Sequence, residues 1–510
     1  GMIETPVPAS RLGPMDAHNR ELLANARPPD WTNPTPEGRY NMVVLGAGTA
    51  GLVTAAGVAG LGGRAAIVER HLFGGDCLNY GCVPSKTLIA AARAAHDARR
   101  AAEYGVRVGP AEVDFAAVME RVRRVRGRIS HHDAVTRFRD MGVDVFLGEA
   151  RFTGGDSVEV EGRTLRFARA CIATGARALR PDIEGLAEAG FHTNETIFSL
   201  TERPRRLAVL GAGPLGCEMA QAFARLGSEV TIIQRKGRLL GREDPDAAEA
   251  VERSFERDGI ALELGAAIRR VTADGTGRHL ELATGNGSRT VTADEILVGF
   301  GRVPNLDGLG LEQAGVEYDT RRGVKVDDRL RTTNKRIYAA GDACLKTKFT
   351  HAADATARLV IRNALFWGRR KLRALTIPWC TYTHPEVAHV GLYPRDAEQR
   401  GIEMDTFTQP FAENDRAVAE GDAAGFVRIH TEKGRDRIVG ATIVGRGAGD
   451  MIGEVAVAMA GGVGLGTLGD VIHPYPTLAE AIKHAGDAYS RTRLTRRAHK
   501  VLRAVLAWRR

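Results

Sequence analysis

Two cysteines separated by four residues carry the clearest chemical signal in the chain. Cys77 and Cys82 lie in the segment 74–86, GGDCLNYGCVPSK, and a pair at this spacing can close a small disulfide loop. Pro84 suits the first turn of a following helix, so Cys82 is expected near the positive end of that helix, where a thiol is favoured as the thiolate that attacks disulfides. The other cysteines are isolated, which disfavours half of a zinc site, and the polar, glycine-rich setting disfavours two buried structural thiols. The pattern predicts a redox-active pair and no metal site.

The pair follows directly on a pattern that is typical of dinucleotide binding. A short apolar strand leads into Gly46-Ala47-Gly48-Thr49-Ala50-Gly51, a helix and a second strand that ends in Glu69. Gly46 permits the tight turn, Gly48 lets the main chain approach a pyrophosphate, and Gly51 lets the helix pack on the strand. The helix N-terminus attracts phosphate, and Glu69 can bind a ribose diol. A surface glycine turn is the alternative, but the complete order of elements favours a dinucleotide site.

The same order of strand, glycine turn, helix and strand recurs from residue 207. Its glycines are Gly211, Gly213 and Gly216, and its second strand ends in Gln234, at the same interval as the acid of the first unit. An amide there removes the repulsion between a carboxylate and a 2′-phosphate, and Arg235, with further bases at positions 236 and 238, can hold that phosphate. The second unit therefore favours NADPH over NADH, the alternative being that these bases are merely solvated.

Length and composition limit the class of protein. A chain of 510 residues, 44% hydrophobic and 26% charged, is long enough for three or four domains and is not disordered. Sixty glycines with 6% aromatic residues favour an α/β protein, and six cysteines exclude a disulfide-stapled secreted scaffold. The net charge of +9 is concentrated at one end, since residues 491–510 contain eight bases and no acid. The body is close to neutral, which argues against a nucleic-acid partner.

The segment 74–86 between two dinucleotide units resembles the FAD-dependent pyridine nucleotide–disulfide oxidoreductases, in particular the dihydrolipoamide dehydrogenase and mercuric reductase branches. The resemblance covers the chain from about Tyr40 to Tyr489. Further segments resemble the family in the expected order: ATGA at 173–176, IYAAGDA at 337–343, the start of the interface domain at 377–391, and HPYPTLAE at 473–480.

The resemblance implies how electrons and protons move. NADPH (or NADH) would bind the second unit and FAD the first. Cys82 would face the flavin as the charge-transfer thiolate, and Cys77 would exchange with a small-molecule or protein disulfide. His473 would reach the redox pair of the other protomer and shuttle the proton, oriented by Glu480, which implies a homodimer with two composite sites. A histidine suits this task near neutral pH, the alternative being a satisfied structural histidine.

The resemblance also assigns residues beside the flavin. Lys86 would lie next to it with Glu218 as ion-pair partner, the alternative being two helix-surface charges. The other residues assigned to FAD binding are Gly75, Thr174, Gly175, Gly341 and Asp342, the last of these for the ribityl chain.

The predicted fold class is α/β, with two Rossmann-like FAD- and NAD(P)-binding domains and an α+β C-terminal dimerisation domain. The predicted divisions are an N-terminal extension (1–38), the FAD-binding domain (39–190), the NAD(P)-binding domain (191–305), a central domain completing the FAD site (306–374), the interface domain (375–490) and a basic amphipathic tail (491–510). The extension, which is rich in proline, is expected to lie along the surface, and the arginine run from 121 to 128 is expected to form the exposed face of a helix.

Three functions remain open at this point: a dihydrolipoamide dehydrogenase-like disulfide reductase, a mercuric reductase-like reductase of metal ions or other oxidants, and a flavoprotein subunit of a larger complex. The sequence has no cysteine after Cys380 and none in residues 2–38, which argues against efficient Hg(II) reduction. The tail is expected to pack on its own dimer or to make weak contact with an anionic membrane surface. The expected location is the cytoplasm.

Overall fold

A computed structural model describes residues 11–346 and 348–510. The chain forms two compact packing units. Unit 1 comprises the described residues up to Arg238 together with Asp258–Leu375, and unit 2 comprises Leu239–Arg257 and Thr376–Arg510. Residues 239–257, which the sequence places within a nucleotide domain, thus pack with the C-terminal residues.

The helices, numbered in chain order, are α1 (Ala17–Ala26), α2 (Thr49–Gly60), α3 (Gly75–Tyr80), α4 (Cys82–Arg100), α5 (Phe115–Ile129), α6 (Val135–Asp140), α7 (Leu186–Ala189), α8 (Asn194–Ile197), α9 (Pro214–Arg225), α10 (Pro245–Arg257), α11 (Thr350–Leu365), α12 (Pro394–Gln399), α13 (Asp415–Ala419), α14 (Ala448–Ala460), α15 (Leu465–Asp470), α16 (Glu480–Thr492) and α17 (Arg496–Trp508). Short 3-10 turns lie at Ala101–Tyr104, Ser130–Asp133, Gly341–Ala343, Leu372–Ala374 and Phe411–Glu413.

The strands are β1 (Arg39–Leu45), β2 (Ala65–Glu69), β3 (Asp144–Leu147), β4 (Ala150–Gly154), β5 (Ser157–Val160), β6 (Arg163–Ile172), β7 (Ala176–Ala178), β8 (Arg206–Leu210), β9 (Glu229–Gln234), β10 (Ala261–Leu264), β11 (Ala267–Asp274), β12 (Gly277–Thr284), β13 (Gly287–Ala293), β14 (Glu295–Val298), β15 (Arg302–Pro304), β16 (Tyr318–Asp319), β17 (Gly323–Val324), β18 (Ile337–Ala339), β19 (Trp379–Thr381), β20 (Glu386–Gly391), β21 (Met404–Pro410), β22 (Phe426–Glu432) and β23 (Ile438–Gly445).

Unit 1 is built on two sheets with parallel centres. The first has the order β3-β2-β1-β6-β5-β4, with β18 added parallel to β6, and the second has the order β10-β9-β8-β14. Val43 and Val44 of β1 point to opposite faces, yet both are fully buried, because apolar side chains pack on each side of the sheet. The order of connections reverses at β1 in the first sheet and at β8 in the second. In each sheet the glycine turn follows that strand, and open parallel sheets bind their ligands at such a reversal.

The N-terminal extension packs into unit 1 around α1, so the expectation that it lies along the surface is wrong there, whereas Pro29 and Asp30 in its proline-rich end are exposed. Asp16 caps α1 by accepting a hydrogen bond from the Asn19 main chain, and Leu12 and Leu22 are fully buried. Asn33 is paired through its side chain with both main-chain groups of Leu147 on β3. Apolar burial and satisfied polar groups together hold the segment in place. Residues 1–10 lie outside the described part of the chain.

The arginine run on α5 is also more buried than its sequence suggests. Arg126 is fully buried and Arg123 nearly so. The other arginines of the run are exposed: Arg121, Arg124 and Arg128. The expectation of one exposed basic face is therefore wrong, because α1 covers the side of α5 that carries Arg123 and Arg126.

Unit 2 is built on an antiparallel sheet with the order β19-β20-β23-β22-β21, covered by α14, α15 and α16. Val457 is 72% exposed, Ile472 93% and Tyr475 71%, so this unit presents large apolar side chains to its surroundings. Helix α17 has no buried residue. The α/β class with an α+β C-terminal region is confirmed. Along the described residues, no helix combines the length and apolarity needed to cross a membrane.

Candidate active site

The first glycine turn is shaped so that only glycine fits at two of its positions. Gly46 has a φ of +102°, and a Cβ there would lie 2.2 Å from the Ala173 carbonyl oxygen. A Cβ on Gly51 would lie 1.7 Å from the Gly46 carbonyl oxygen, whereas one on Gly48 would meet its nearest atom, the Gly75 Cα, only at 3.7 Å. The main chain at Gly48 is thus left uncovered ahead of α2, as a pyrophosphate site requires.

Glu69 at the end of β2 supports the same turn. Its Oε2 accepts a hydrogen bond from the Ala47 main-chain nitrogen at 2.7 Å, and its Oε1 accepts one from the His71 nitrogen at 2.9 Å. Burial raises the pKa of the Glu69 carboxyl. Its sequence position suggested only ribose binding, but the carboxylate also fixes the loop that leads to the redox segment.

Polar groups around β6 and β18 fit a flavin nucleotide. The Thr174 Oγ1 atom is buried and has no hydrogen-bond partner, and Gly175 adopts a φ of +69°. Gly341 also has a φ of +69°, and the following Asp342 carboxylate lies 3.8 Å from the Arg302 Nε atom. Burial raises the pKa of Asp342 although Arg302 opposes this effect. An orphaned hydroxyl and a desolvated carboxylate are the groups that a ribityl or phosphate oxygen can satisfy.

The second glycine turn repeats the geometry of the first. Gly211 has a φ of +99°, and a Cβ on Gly216 would lie 2.2 Å from the Gly211 carbonyl oxygen, while a Cβ on Gly213 would meet nothing within 4 Å. Gln234 ends β9 half-buried, and Arg235 after it is exposed. The turn leaves room for the phosphates of a nicotinamide coenzyme at Gly213.

The redox pair lies where two helices begin. Cys77 is in α3, and Cys82 is the first residue of α4. The Cys82 Sγ atom is 3.6 Å from the Oγ1 atom of Thr350, which is the first residue of α11. Two positive helix ends therefore face one sulfur atom, an arrangement that favours its anionic form.

The two thiols share one proton unequally. A hydrogen bond with Cys77, followed by the charge of Lys86, lowers the pKa of Cys82 to about 6, although burial opposes this. The same hydrogen bond, together with burial, raises the pKa of Cys77. Cys82 is the exposed thiol and Cys77 is half-buried. In the reduced state Cys82 is thus the thiolate and Cys77 the protonated partner.

Lys86 and Glu218 are brought together as predicted for an ion pair. The Lys86 Nζ atom donates to the Glu218 Oε1 atom at 2.7 Å, and the Glu218 side chain is only 6% exposed. Lys86 is on α4, which begins at Cys82, and Glu218 is on α9, which follows the second glycine turn. The pair therefore ties the redox helix to the helix of the second nucleotide turn.

Arg302 is a site residue that the sequence did not single out, and Thr350 lies in a segment after the second flavin motif whose role the sequence left open. Arg302 on β15 pairs with Asp76, which immediately precedes Cys77, and it also faces Asp342 of the flavin motif. Neither Arg302 nor Thr350 belongs to a motif that a single sequence reveals. The one signal in the sequence was the Asp76 carboxylate inside the redox segment, which needs a basic partner when it is partly buried.

The structure does not form the expected contact between His473 and Glu480. The His473 Nε2 atom lies 2.6 Å from the Glu454 Oε1 atom on α14, and its Nδ1 atom lies 2.9 Å from the Val471 carbonyl oxygen. Glu480 is the first residue of α16, where it accepts from the Thr477 main-chain nitrogen at 3.3 Å. In this structure Glu454 on α14 is the carboxylate next to His473 and the start of α16 holds Glu480, so the orienting role of Glu480 stays a prediction.

Tyr475 is the exposed member of the same segment. Its hydroxyl donates to the Asp415 Oδ2 atom at 2.9 Å, while the His473 side chain is only 4% exposed. Both ring nitrogens of His473 are therefore occupied within unit 2, and Tyr475 is the more accessible of the two groups.

Comparisons with known proteins agree with this site. The family model "Pyridine nucleotide-disulphide oxidoreductase" matches residues 40–358, and the dimerisation domain of the same family matches residues 377–486. The chain is 33% identical to a mercuric reductase of Bacillus cereus over 94% of its own length and 76% of the relative's. It is also 33% identical to a dihydrolipoyl dehydrogenase of Chlorobaculum tepidum, over 88% of its own length and 96% of the relative's.

A solved structure extends the likeness to three dimensions. The HOCl-induced flavoprotein disulfide reductase RclA from Escherichia coli matches with a TM-score of 0.77 and 28% identity, covering 87% of this chain and 99% of that one. The two family models together match most of the chain, including both glycine turns and the cysteine pair. The chain belongs to the pyridine nucleotide–disulfide oxidoreductase family and is an FAD-dependent, NAD(P)H-linked disulfide oxidoreductase.

Proposed function

We propose that this enzyme takes electrons from NADPH and delivers them through the Cys77–Cys82 pair to a small disulfide of the lipoamide type. FAD, held by the first glycine turn and the Asp342 segment, supplies the two-electron link between the nicotinamide and the disulfide when it is bound. The proposal rests on one observation above all. Cys82 lies at two helix starts beside Lys86, so the reduced pair keeps one stable thiolate and one thiol that is available for exchange.

The thiols then complete the exchange in two displacements. Cys77, once deprotonated, attacks one sulfur of the substrate disulfide, so a mixed disulfide forms and the other substrate sulfur leaves as a thiolate. The Cys82 thiolate next attacks the Cys77 sulfur, which restores the Cys77–Cys82 disulfide and releases the second substrate thiolate. The substrate gains two electrons, and the enzyme pair loses them. Because the pKa of Cys77 is raised, the first displacement needs a base to remove its proton.

We assign that base to the segment 473–480 of a second protomer. The family's dimerisation domain spans residues 377–486, and unit 2 presents Val457, Ile472 and Tyr475 with large exposed apolar surfaces, which supports burial against another copy. His473, with Glu454 as its carboxylate partner, is the first candidate for the base. Tyr475 is the second, since its hydroxyl is accessible and paired with Asp415.

The test is anaerobic reoxidation of NADPH-reduced enzyme by oxidised lipoamide, with three variants beside the wild type. His473→Ala should slow reoxidation at least tenfold if His473 is the base, whereas Tyr475→Phe should do so if the tyrosine hydroxyl moves the proton. His499→Ala is the matched control, since His499 is exposed on α17, outside the segment 473–480, and should leave the rate unchanged. Absence of reoxidation in the wild type, after normal reduction of flavin and disulfide, would refute the lipoamide assignment.

A second candidate acceptor is a metal ion or another oxidant. The relatives include mercuric reductases, and soft metal ions bind thiolates such as that of the Cys77–Cys82 pair readily. This function needs no proton transfer to a leaving thiol, so turnover with Hg(II) should survive the loss of His473 and Tyr475. Retained turnover in both variants, with no lipoamide reduction by the wild type, would favour this acceptor.

The basic tail is proposed to contact an anionic membrane surface. Helix α17 buries no residue, and Leu502, Val505 and Trp508 share one face, while arginines and a lysine occupy the other. Eight bases without an acid in residues 491–510 repel a second copy of the tail and complement anionic headgroups. We place the enzyme in the cytoplasm, where nicotinamide coenzymes are supplied and free thiols such as those of this chain persist.

Vesicle sedimentation of the full chain tests the tail. Binding to phosphatidylglycerol vesicles should exceed binding to phosphatidylcholine vesicles, and it should weaken with salt. Val505→Asp should abolish it, whereas Val106→Asp, which changes an equally exposed valine elsewhere, should not. Equal sedimentation of both variants would refute the membrane contact, and a change in oligomeric state confined to Val505→Asp would indicate a second copy as the occupant.

A further inference from the structure

The buried guanidinium of Arg126 connects the N-terminal segment to the redox loop. Its Nη1 atom donates to the Asn79 carbonyl oxygen at 2.8 Å, and its Nη2 atom donates to the Asn19 Oδ1 atom at 2.9 Å. Asn79 lies between Cys77 and Cys82 in the chain, and Asn19 lies on α1. One side chain therefore bridges the extension and the short segment that sets the separation of the two thiols.

The environment of Arg126 makes this bridge costly to disturb. The side chain is fully buried, and burial lowers the pKa of its guanidinium to about 10. Its Nε atom has no hydrogen-bond partner. The two hydrogen bonds from Nη1 and Nη2 therefore have to offset the free-energy cost of removing the charge from water. Loss of the Asn19 acceptor would leave a second buried donor unsatisfied and would free Arg126 to seek other partners.

Asn79 transmits the constraint into the loop. Its Nδ2 atom donates to the Phe73 carbonyl oxygen at 3.0 Å and to the Gly75 carbonyl oxygen at 2.8 Å, which ties α3 back to the residues before it. The Phe73 main-chain nitrogen in turn donates to the carbonyl oxygen of Ala26, the last residue of α1. The extension thus contacts the residue just before the redox segment directly and the middle of the segment through Arg126.

We infer that residues 11–33 act as a positioning element for the redox pair, in which Asn19 holds Arg126 and Arg126 holds the Asn79 carbonyl so that the two thiols stay at reacting distance. This inference rests on the proposed role of Cys77 and Cys82. A loosened loop lowers the effective concentration of one thiol at the other, so the disulfide becomes easier to open and slower to re-form.

The experiment measures the Cys77–Cys82 couple directly, without turnover. Holoenzyme is equilibrated in glutathione redox buffers, quenched with an alkylating agent and mapped by mass spectrometry. Asn19→Ala should shift the thiol–disulfide equilibrium about tenfold toward the dithiol, which corresponds to about 30 mV for a two-electron couple. Asn19→Asp, which keeps an acceptor for Arg126, should restore the equilibrium.

Asn33→Ala is the matched control. Asn33 is also a buried polar residue of the extension, but its side chain bonds to Leu147 on β3 and not to the redox segment. It should lower stability without moving the equilibrium, and Asn19→Ser provides a milder change if Asn19→Ala does not fold. Wild-type equilibria in folded Asn19→Ala and Asn19→Ser, or equal shifts in Asn33→Ala, would overturn the inference. Failure of lipoamide reduction alone would instead count against the proposed function and leave these equilibria measurable.

Discussion

Replacing the two members of the Lys86–Glu218 ion pair should change the pKa of Cys82 in opposite directions. The Lys86 charge favours the Cys82 thiolate, and the Glu218 charge opposes it. Lys86→Met removes the favourable charge and leaves the carboxylate unopposed, so the pKa of Cys82 should rise. Glu218→Gln keeps a hydrogen-bond acceptor for Lys86 and removes the opposing charge, so the pKa should fall further.

The size of the first effect follows from the site. An opposite charge close to a thiol changes its pKa by about 1 to 3, and the Lys86 side chain is partly exposed, so the lower end applies. The pKa of Cys82 should then rise from about 6 to about 7. At pH 6 the thiolate fraction falls from about one half to about one tenth, which predicts an alkylation rate about fivefold lower.

The assay is a short pulse of iodoacetamide on anaerobically reduced enzyme at a series of pH values, with peptide mapping to separate Cys82 from Cys77. Arg100→Met is the matched control, because Arg100 also lies on α4 in an ion pair, with Glu103 at 2.7 Å, but about 27 Å along the helix from Cys82. Shifts of the same sign in Lys86→Met and Glu218→Gln, or a shift in Arg100→Met, would refute an electrostatic role for the pair.

Three further predictions concern the glycine turn, acid stability and coenzyme choice. Gly213→Ala should fold normally but weaken NADPH binding at least tenfold, whereas Gly216→Ala should lower the melting temperature, because only the second Cβ clashes with main chain. Burial lowers the pKa of His430 to about 4, so between about pH 6.5 and 4 the unfolded chain binds a proton that the folded protein does not, and stability falls as the pH falls. In denaturant titrations His430→Asn should flatten this dependence of the unfolding free energy by about 1.4 kcal/mol per pH unit. Arg235→Ala should raise the KM for NADPH and leave that for NADH unchanged, and equal effects on both coenzymes would contradict binding of the 2′-phosphate.

Local patterns were enough to predict the two nucleotide turns, because each of their constraints lies within one strand–turn–helix unit. Gly51 and Gly216 are required by contacts only five residues away, at Gly46 and Gly211. The position of Cys82 at a helix start was predictable for the same reason, since Pro84 marks the first turn.

Long-range partners were not predictable from the sequence. In the sequence Arg126 cannot be told apart from the other arginines of its run. Its burial depends on α1, which lies about 100 residues earlier in the chain. The Glu454 partner of His473 comes from another helix, whereas Glu480 was assigned from the resemblance of the segment 473–480 to the family. Single-sequence patterns carry spacing along the chain, whereas these contacts depend on how separate elements pack.

The placement of Cys82 at two helix starts also determines how the reduced enzyme meets peroxide. A thiolate is the form that hydrogen peroxide oxidises, so peroxide that reaches Cys82 would give a sulfenic acid and hydroxide. The neighbouring Cys77 thiol would condense with that sulfenic acid, releasing water and forming the disulfide of the resting enzyme before further oxidation occurs. Cys171 and Cys344 lie apart from this chemistry, because burial raises the pKa of each thiol. Peroxide would thus reoxidise the reduced pair to its disulfide. The enzyme would use NADPH to reduce that disulfide again and would not lose its cysteines to irreversible oxidation.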